Sequence, residues 1–102
     1  MNYYILEGTT PIRCEDLQAW GRWLNENQDK KRVAKDDIGA YWVSTVFLGL
    51  DHSFGDGPPV LFETMVFPHD SFSEEYCERC STWEEALIQH QAGIEFAKGL
   101  RQ

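Results

Sequence analysis

Two apolar runs, residues 41–50 and 60–67, flank a stretch containing Gly and Pro, and this arrangement constrains the fold more than any other feature of the chain. In the first run Trp42, Val46, Leu48 and Leu50 alternate with Tyr41, Val43 and Phe47, so both parities are apolar. Successive side chains of a strand point to opposite faces, and a strand apolar on both is expected to lie centrally. In the second run Val60, Phe62 and Val66 share one face and Leu61, Glu63, Met65 and Phe67 the other. The spacing predicts antiparallel pairing of the two runs across residues 51–59.

The remaining segments supply partners for this pair. Residues 3–6 read as an edge strand ended by a turn, Glu7-Gly8-Thr9-Thr10-Pro11. From Glu15 to about Asn25, Leu17, Trp20, Trp23 and Leu24 fall within an arc of ~120°, which predicts a helix with Glu15 and Asp16 in its first turn, where the helix dipole favours carboxylates. Arg32-Val33-Ala34 reads as a short strand, Asp36-Asp37-Ile38-Gly39 as a turn, residues 68–75 as a second polar loop and residues 76–80 as a last strand. A final helix runs to about Gly99, because Ser81 with Glu84, and Thr82 with Glu85, both have capping-box spacing. It carries two apolar stripes. Trp83, Ala86, Leu87, His90, Ile94 and Ala97 form one, for the sheet; Ile88, Ala92 and Phe96 form the other, for the first helix or for a second copy in a homodimer. The expected class is α+β, a small, mainly antiparallel sheet packed against two helices in one compact domain, residues 1–102.

Charge narrows the partners. The 102-residue chain has a net charge of -8, which opposes direct binding of nucleic acid or of an anionic membrane surface. Residues 1–50 carry six Lys or Arg against seven Asp or Glu, whereas residues 51–102 carry three against ten. Between Lys35 and Arg79 there is no Lys or Arg. Asp70, Glu74, Glu75 and Glu78 lie in that interval and are the candidate surface for a basic protein partner; plain solubility is the other reading. Three cysteines, an odd number, and an N-terminus without a basic signal-peptide pattern predict a reducing cytoplasm. Nothing approaches the ~18 apolar residues of a membrane span.

The stretch Asp51-His52-Ser53-Phe54-Gly55-Asp56-Gly57-Pro58-Pro59 is longer than an ordinary hairpin loop. Asp51, His52 and Asp56, with Glu63 on the neighbouring strand, are candidate ligand-binding residues: carboxylates and an imidazole can hold a divalent ion or exchange protons. An Asp-Gly turn with capping side chains explains the same residues. Glu63 on an apolar face requires a raised pKa, exposure, or a partner such as Arg32 or Arg79. Cys77 and Cys80, with Cys14, His69 and His90 as further ligands, give weak support to zinc, since a second pair is absent and residues 77 and 80 have opposite strand parity. His90 reads better as a hydrogen-bonded core histidine. Trp20, Trp23, Trp42 and Trp83 fit core packing better than ligand stacking. With no nucleophile elbow and no phosphate-binding loop, neither catalytic residues, nor a metal, nor a cofactor is assigned.

The segments Val43-Ser44-Thr45-Val46-Phe47-Leu48-Gly49-Leu50-Asp51-His52, Phe54-Gly55-Asp56-Gly57-Pro58-Pro59 and Leu61-Phe62-Glu63-Thr64-Met65-Val66-Phe67 resemble a family of small uncharacterised proteins encoded in tailed-bacteriophage and prophage genomes. Arg32-Val33-Ala34 and Ser81-Thr82-Trp83-Glu84-Glu85-Ala86 with His90 extend the resemblance. It implies an accessory protein of the bacterial host cytoplasm and no transferable reaction. The expected role is non-enzymatic binding that modulates a host protein, such as a defence or nucleic-acid-acting enzyme, through the acidic surface. Small-ligand binding or metal-assisted hydrolysis at the 51–59 loop, and a structural or assembly role, are the alternatives.

Overall fold

A computed structural model describes residues 2–100. The strands are β1 (Tyr4–Glu7), β2 (Thr10–Arg13), β3 (Arg32–Ile38), β4 (Tyr41–Phe47), β5 (Phe62–Pro68) and β6 (Tyr76–Cys80); the helices are α1 (Leu17–Glu26) and α2 (Trp83–Gly99). Strands β3-β4-β5-β6 form one antiparallel sheet in chain order, and β1-β2 form a separate hairpin. The architecture is α+β, with the expected β4–β5 pair at the centre of the larger sheet.

Glycine geometry accounts for two departures from expectation. Gly8 has φ +63°, a left-handed value that costs a residue without Cβ little, so the chain reverses over Gly8-Thr9 and Thr10 already pairs with Glu7. Thr10 and Pro11, expected in a turn, therefore belong to β2, whose edge position tolerates a proline without a donor. Gly39, at φ +61°, lets Ile38 pair with Tyr41, so Asp36 and Asp37 lie within β3 instead of in a turn. Asp16 is the N-cap of α1, not part of its first turn: its carboxylate accepts from the amides of Gln18 and Ala19. At α2 the box formed is Thr82 with Glu85.

Only α2 covers the sheet, crossing all four strands, while α1 packs with the hairpin at one end of it. Trp20 of α1 donates to the Gly49 carbonyl at 3.0 Å, and Trp23 meets Phe47 edge-on. The α2-facing side chains of β4 and β5, namely Val43, Thr45, Phe47, Phe62, Thr64 and Val66, are all 0% exposed. Each fully buried apolar side chain among them contributes about 1.5–3 kcal/mol. Among the described residues no element covers the opposite face. There Trp42 stacks on Phe67 at 5.1 Å, with the Lys35 ammonium 5.1 Å from the indole.

The helix sits close to the sheet because its buried residues, Ala86, His90, Gly93 and Ala97, are mostly small. A Cβ at Gly93 would lie 3.0 Å from Val43 and 3.1 Å from Thr64. Leu87, expected in the buried stripe, is about half exposed, and Ile88 and Ala92 of the second stripe are exposed, since no second layer reaches them. Phe96 rests on Tyr76 with ring centroids 4.9 Å apart. Among the described residues no helix is long and apolar enough to cross a membrane.

Candidate functional site

The loop between β4 and β5 is closed by one carboxylate. Asp51 Oδ1 accepts from the amides of Ser53 at 2.8 Å and Val60 at 2.9 Å, and the His52 amide donates to the Val60 carbonyl at 2.9 Å. The Ser53 amide above all, then the Ser53 hydroxyl and the Val60 amide, hold the Asp51 carboxyl below its ordinary value. Its oxygen is thereby occupied in joining the two ends of the loop.

The four ligand candidates are only partly brought together. Asp51 and His52 line a pocket of about 230 Å³ with Leu50, Ser53, Phe54 and Arg79, which is below the roughly 300–1,000 Å³ usual for ligand sites. Arg79 Nε also bonds Glu63 Oε2 at 2.9 Å, so the half-buried Glu63 takes one of the two arginine partners expected of it. Asp56 is exposed and does not line the pocket. Phe54, at the loop tip, is 100% exposed.

Asp70, Glu74, Glu75 and Glu78 are all exposed. The first three lie in the loop joining β5 to β6, at the other end of the sheet, where no described hydrogen bond or ion pair engages their carboxylates. That loop is fixed instead by main-chain and serine contacts: Ser71 amide to Pro68 carbonyl, Ser73 amide to Ser71 Oγ, and Glu75 amide to Val66 carbonyl. In its middle Phe72 is 94% exposed. Composition of the loop hid this residue, although an aromatic flanked by serines and acids is a recognisable departure from a purely solvating loop. Glu78 lies on β6 close to Tyr76, whose hydroxyl pKa is raised first by burial and then by that carboxylate.

The cysteine and histidine set is dispersed. Cys77 lies on the open side of β6, Cys80 on the buried side, and Cys14 in the connection between β2 and α1. Burial raises both strand thiols, with Glu63 adding to the effect at Cys77 and Glu85 at Cys80, which is pushed to about 11. Both are therefore protonated near neutrality and poorly suited to act as thiolates. His69 pairs with Asp37 at 3.3 Å. Among the described residues no three His, Cys, Asp or Glu side chains are gathered as a metal site.

His90 is 5% exposed and hydrogen-bonded on both ring nitrogens, as expected of a core histidine. Nε2 lies 2.7 Å from Asp36 Oδ2, Nδ1 lies 2.7 Å from Thr45 Oγ1, and Thr45 Oγ1 lies 2.7 Å from Thr64 Oγ1. The order carboxylate, imidazole, hydroxyl matches that of nucleophilic triads. Here the hydroxyl is 0% exposed, beneath α2, so a substrate carbonyl has no access to it. The partners Thr45 and Thr64 were not singled out from sequence because each looks like an ordinary strand residue. Their meeting follows from the cross-strand register, which pairs them directly.

No protein-family model, curated protein or solved structure matches the chain.

Proposed function

We propose that the chain is a non-enzymatic binding protein that engages a basic partner surface through the β5–β6 loop, with Phe72 as the apolar anchor and Asp70, Glu74, Glu75 and Glu78 as the charged rim. The observation that carries this reading is the 94% exposure of Phe72 in a loop where no described hydrogen bond or ion pair engages the carboxylates of Asp70, Glu74 and Glu75. Exposing a phenylalanine forgoes about 1.5–3 kcal/mol of burial, and an aromatic surrounded by unpaired charge is the composition of an interface anchor within a steering field. The resemblance to phage and prophage proteins supports a host protein in the bacterial cytoplasm as the partner, and a nucleic-acid-acting or defence enzyme has the basic groove that such a rim complements. The 51–59 loop is then scaffold, since Asp51 is committed to closing it.

The test is capture from bacterial lysate on immobilised wild type, Phe72→Ala, Phe54→Ala and the double variant Glu74→Gln, Glu75→Gln. A partner held by wild type and Phe54→Ala, lost by Phe72→Ala, and released progressively by salt supports the reading. Retention by Phe72→Ala, or insensitivity to salt, overturns it. The 72% exposure of Ile88 supports a second use of the surface, self-association along Ile88, Ala92 and Phe96; a sedimentation mass independent of concentration would remove it.

A further inference from the structure

The polar layer crossing the core has a direction that can be read from both of its ends. At one end an ionised Asp36 only accepts, so His90 Nε2, 2.7 Å away, must carry a hydrogen. At the other end Thr64 is 0% exposed and its hydroxyl has, among the described residues, one hydrogen-bond partner, Thr45 Oγ1. Its hydrogen must be donated there, because an unmade bond in the core is costly. Thr45 then directs its own hydrogen to the acceptor left within reach, Nδ1 of His90 at 2.7 Å. A hydrogen on Nδ1 would occupy one of the two contacts and leave the hydrogen of one of the two hydroxyls, Thr45 or Thr64, without an acceptor.

We propose that Thr64, Thr45, His90 and Asp36 form a one-way hydrogen-bond chain that holds His90 as its neutral Nε2–H tautomer and latches the edge strand β3 to the centre of the core. Strand β3 is bonded to a neighbouring strand on one side only, and its pairing is interrupted by a register shift between Arg32 and Ala34. His90, on α2, reaches across to Asp36 on β3, and half of the Asp36 side chain is open to water. The outermost link of the chain is therefore also the one solvent competes for, and its loss leaves β3 held on the helix side by Val33 and Ile38 at the margins of the two apolar clusters.

Two measurements test this on the full chain at pH 7.5. Long-range ¹H–¹⁵N spectra of wild type should show His90 with a protonated Nε2 and an unprotonated, hydrogen-bonded Nδ1; the Nδ1–H form or an averaged signal overturns the assigned direction. In Asp36→Ala, amide hydrogen exchange of β3 should accelerate about tenfold while that of β6, the opposite edge, is unchanged. Equal acceleration at both edges, or none at β3, overturns the latch. The wild-type spectrum decides the direction even if a variant folds poorly.

Discussion

The loops joining β4 to β5 and β5 to β6 leave opposite ends of the same strand, and each lifts a phenylalanine almost completely into solvent, Phe54 in one and Phe72 in the other. They differ in how they use their carboxylates. In the first, Asp51 is drawn inward to accept two amides, and its charge serves the loop's own closure. In the second, closure is left to Ser71 and to the main chain, so Asp70, Glu74 and Glu75 remain unengaged. An acidic side chain is available to a partner only where the fold does not already depend on it, and by that criterion Asp51 is withheld whereas Asp70, Glu74 and Glu75, like the exposed Asp56 of the first loop, are not.

The largest effect expected from this contrast is in binding. Phe72→Ala should weaken the captured complex about a hundredfold, the scale of an interface hot spot, with an unchanged unfolding midpoint, whereas Phe54→Ala should leave both untouched. Calorimetric titration of the captured partner measures the first quantity and urea denaturation the second; equal losses for the two phenylalanines would erase the distinction. Next comes stability: Asp51→Ala should destabilise by about 1 kcal/mol, since it leaves two loop amides without their acceptor at a site still reached by water. Asp70→Ala should stay within about 0.5 kcal/mol of wild type.

The pH dependence follows from the same bonds. The folded Asp51 carboxyl titrates below its ordinary value of 3.8, so its contribution is complete above that value and is lost as pH falls through the folded one. The stability gap between wild type and Asp51→Asn should therefore narrow with acidification below the ordinary carboxylate range, in urea curves taken at successive pH values. A gap that stays constant would mean that the charge contributes nothing to closure. The smallest effect is on salt dependence. Glu74→Gln with Glu75→Gln should flatten the slope of affinity against ionic strength without altering stability; a slope matching wild type would move the charged rim elsewhere.

Much of the fold is legible where side-chain volume and parity speak alone. Tyr41 to Phe47 and Phe62 to Phe67 are dense in β-branched and aromatic residues, and Thr82 with Glu85 marks the start of α2. The turn chemistry was harder to read, because Asp36 and Asp37 resemble turn residues until Gly39 is seen to make the reversal by itself. Gly93, which looks like a weakness in a helix, lies where Val43 and Thr64 approach so closely that a Cβ would be a tight fit. The acidic surface was legible as a charge interval, but its apolar centre at Phe72 was not, because exposure of a loop aromatic is decided by what fails to pack on it. Likewise the loop length suggested a site at residues 51–59, whereas the inward turn of Asp51 depends on where the Ser53 and Val60 amides point.

Gly93 also fixes a length. It stands one turn from His90, and the small residues around it let the helix settle until both contacts of the His90 ring, to Thr45 and to Asp36, close at 2.7 Å. An added Cβ there would meet Val43 at 3.0 Å and Thr64 at 3.1 Å, so those side chains would have to give by a few tenths of an ångström beside the same contacts. The molecule is consequently gauged along its sheet-facing seam, where even a methyl group is a tight fit, and permissive on the outer side of the same helix, where Ile88 and Ala92 can change without touching the contacts that hold the layers together.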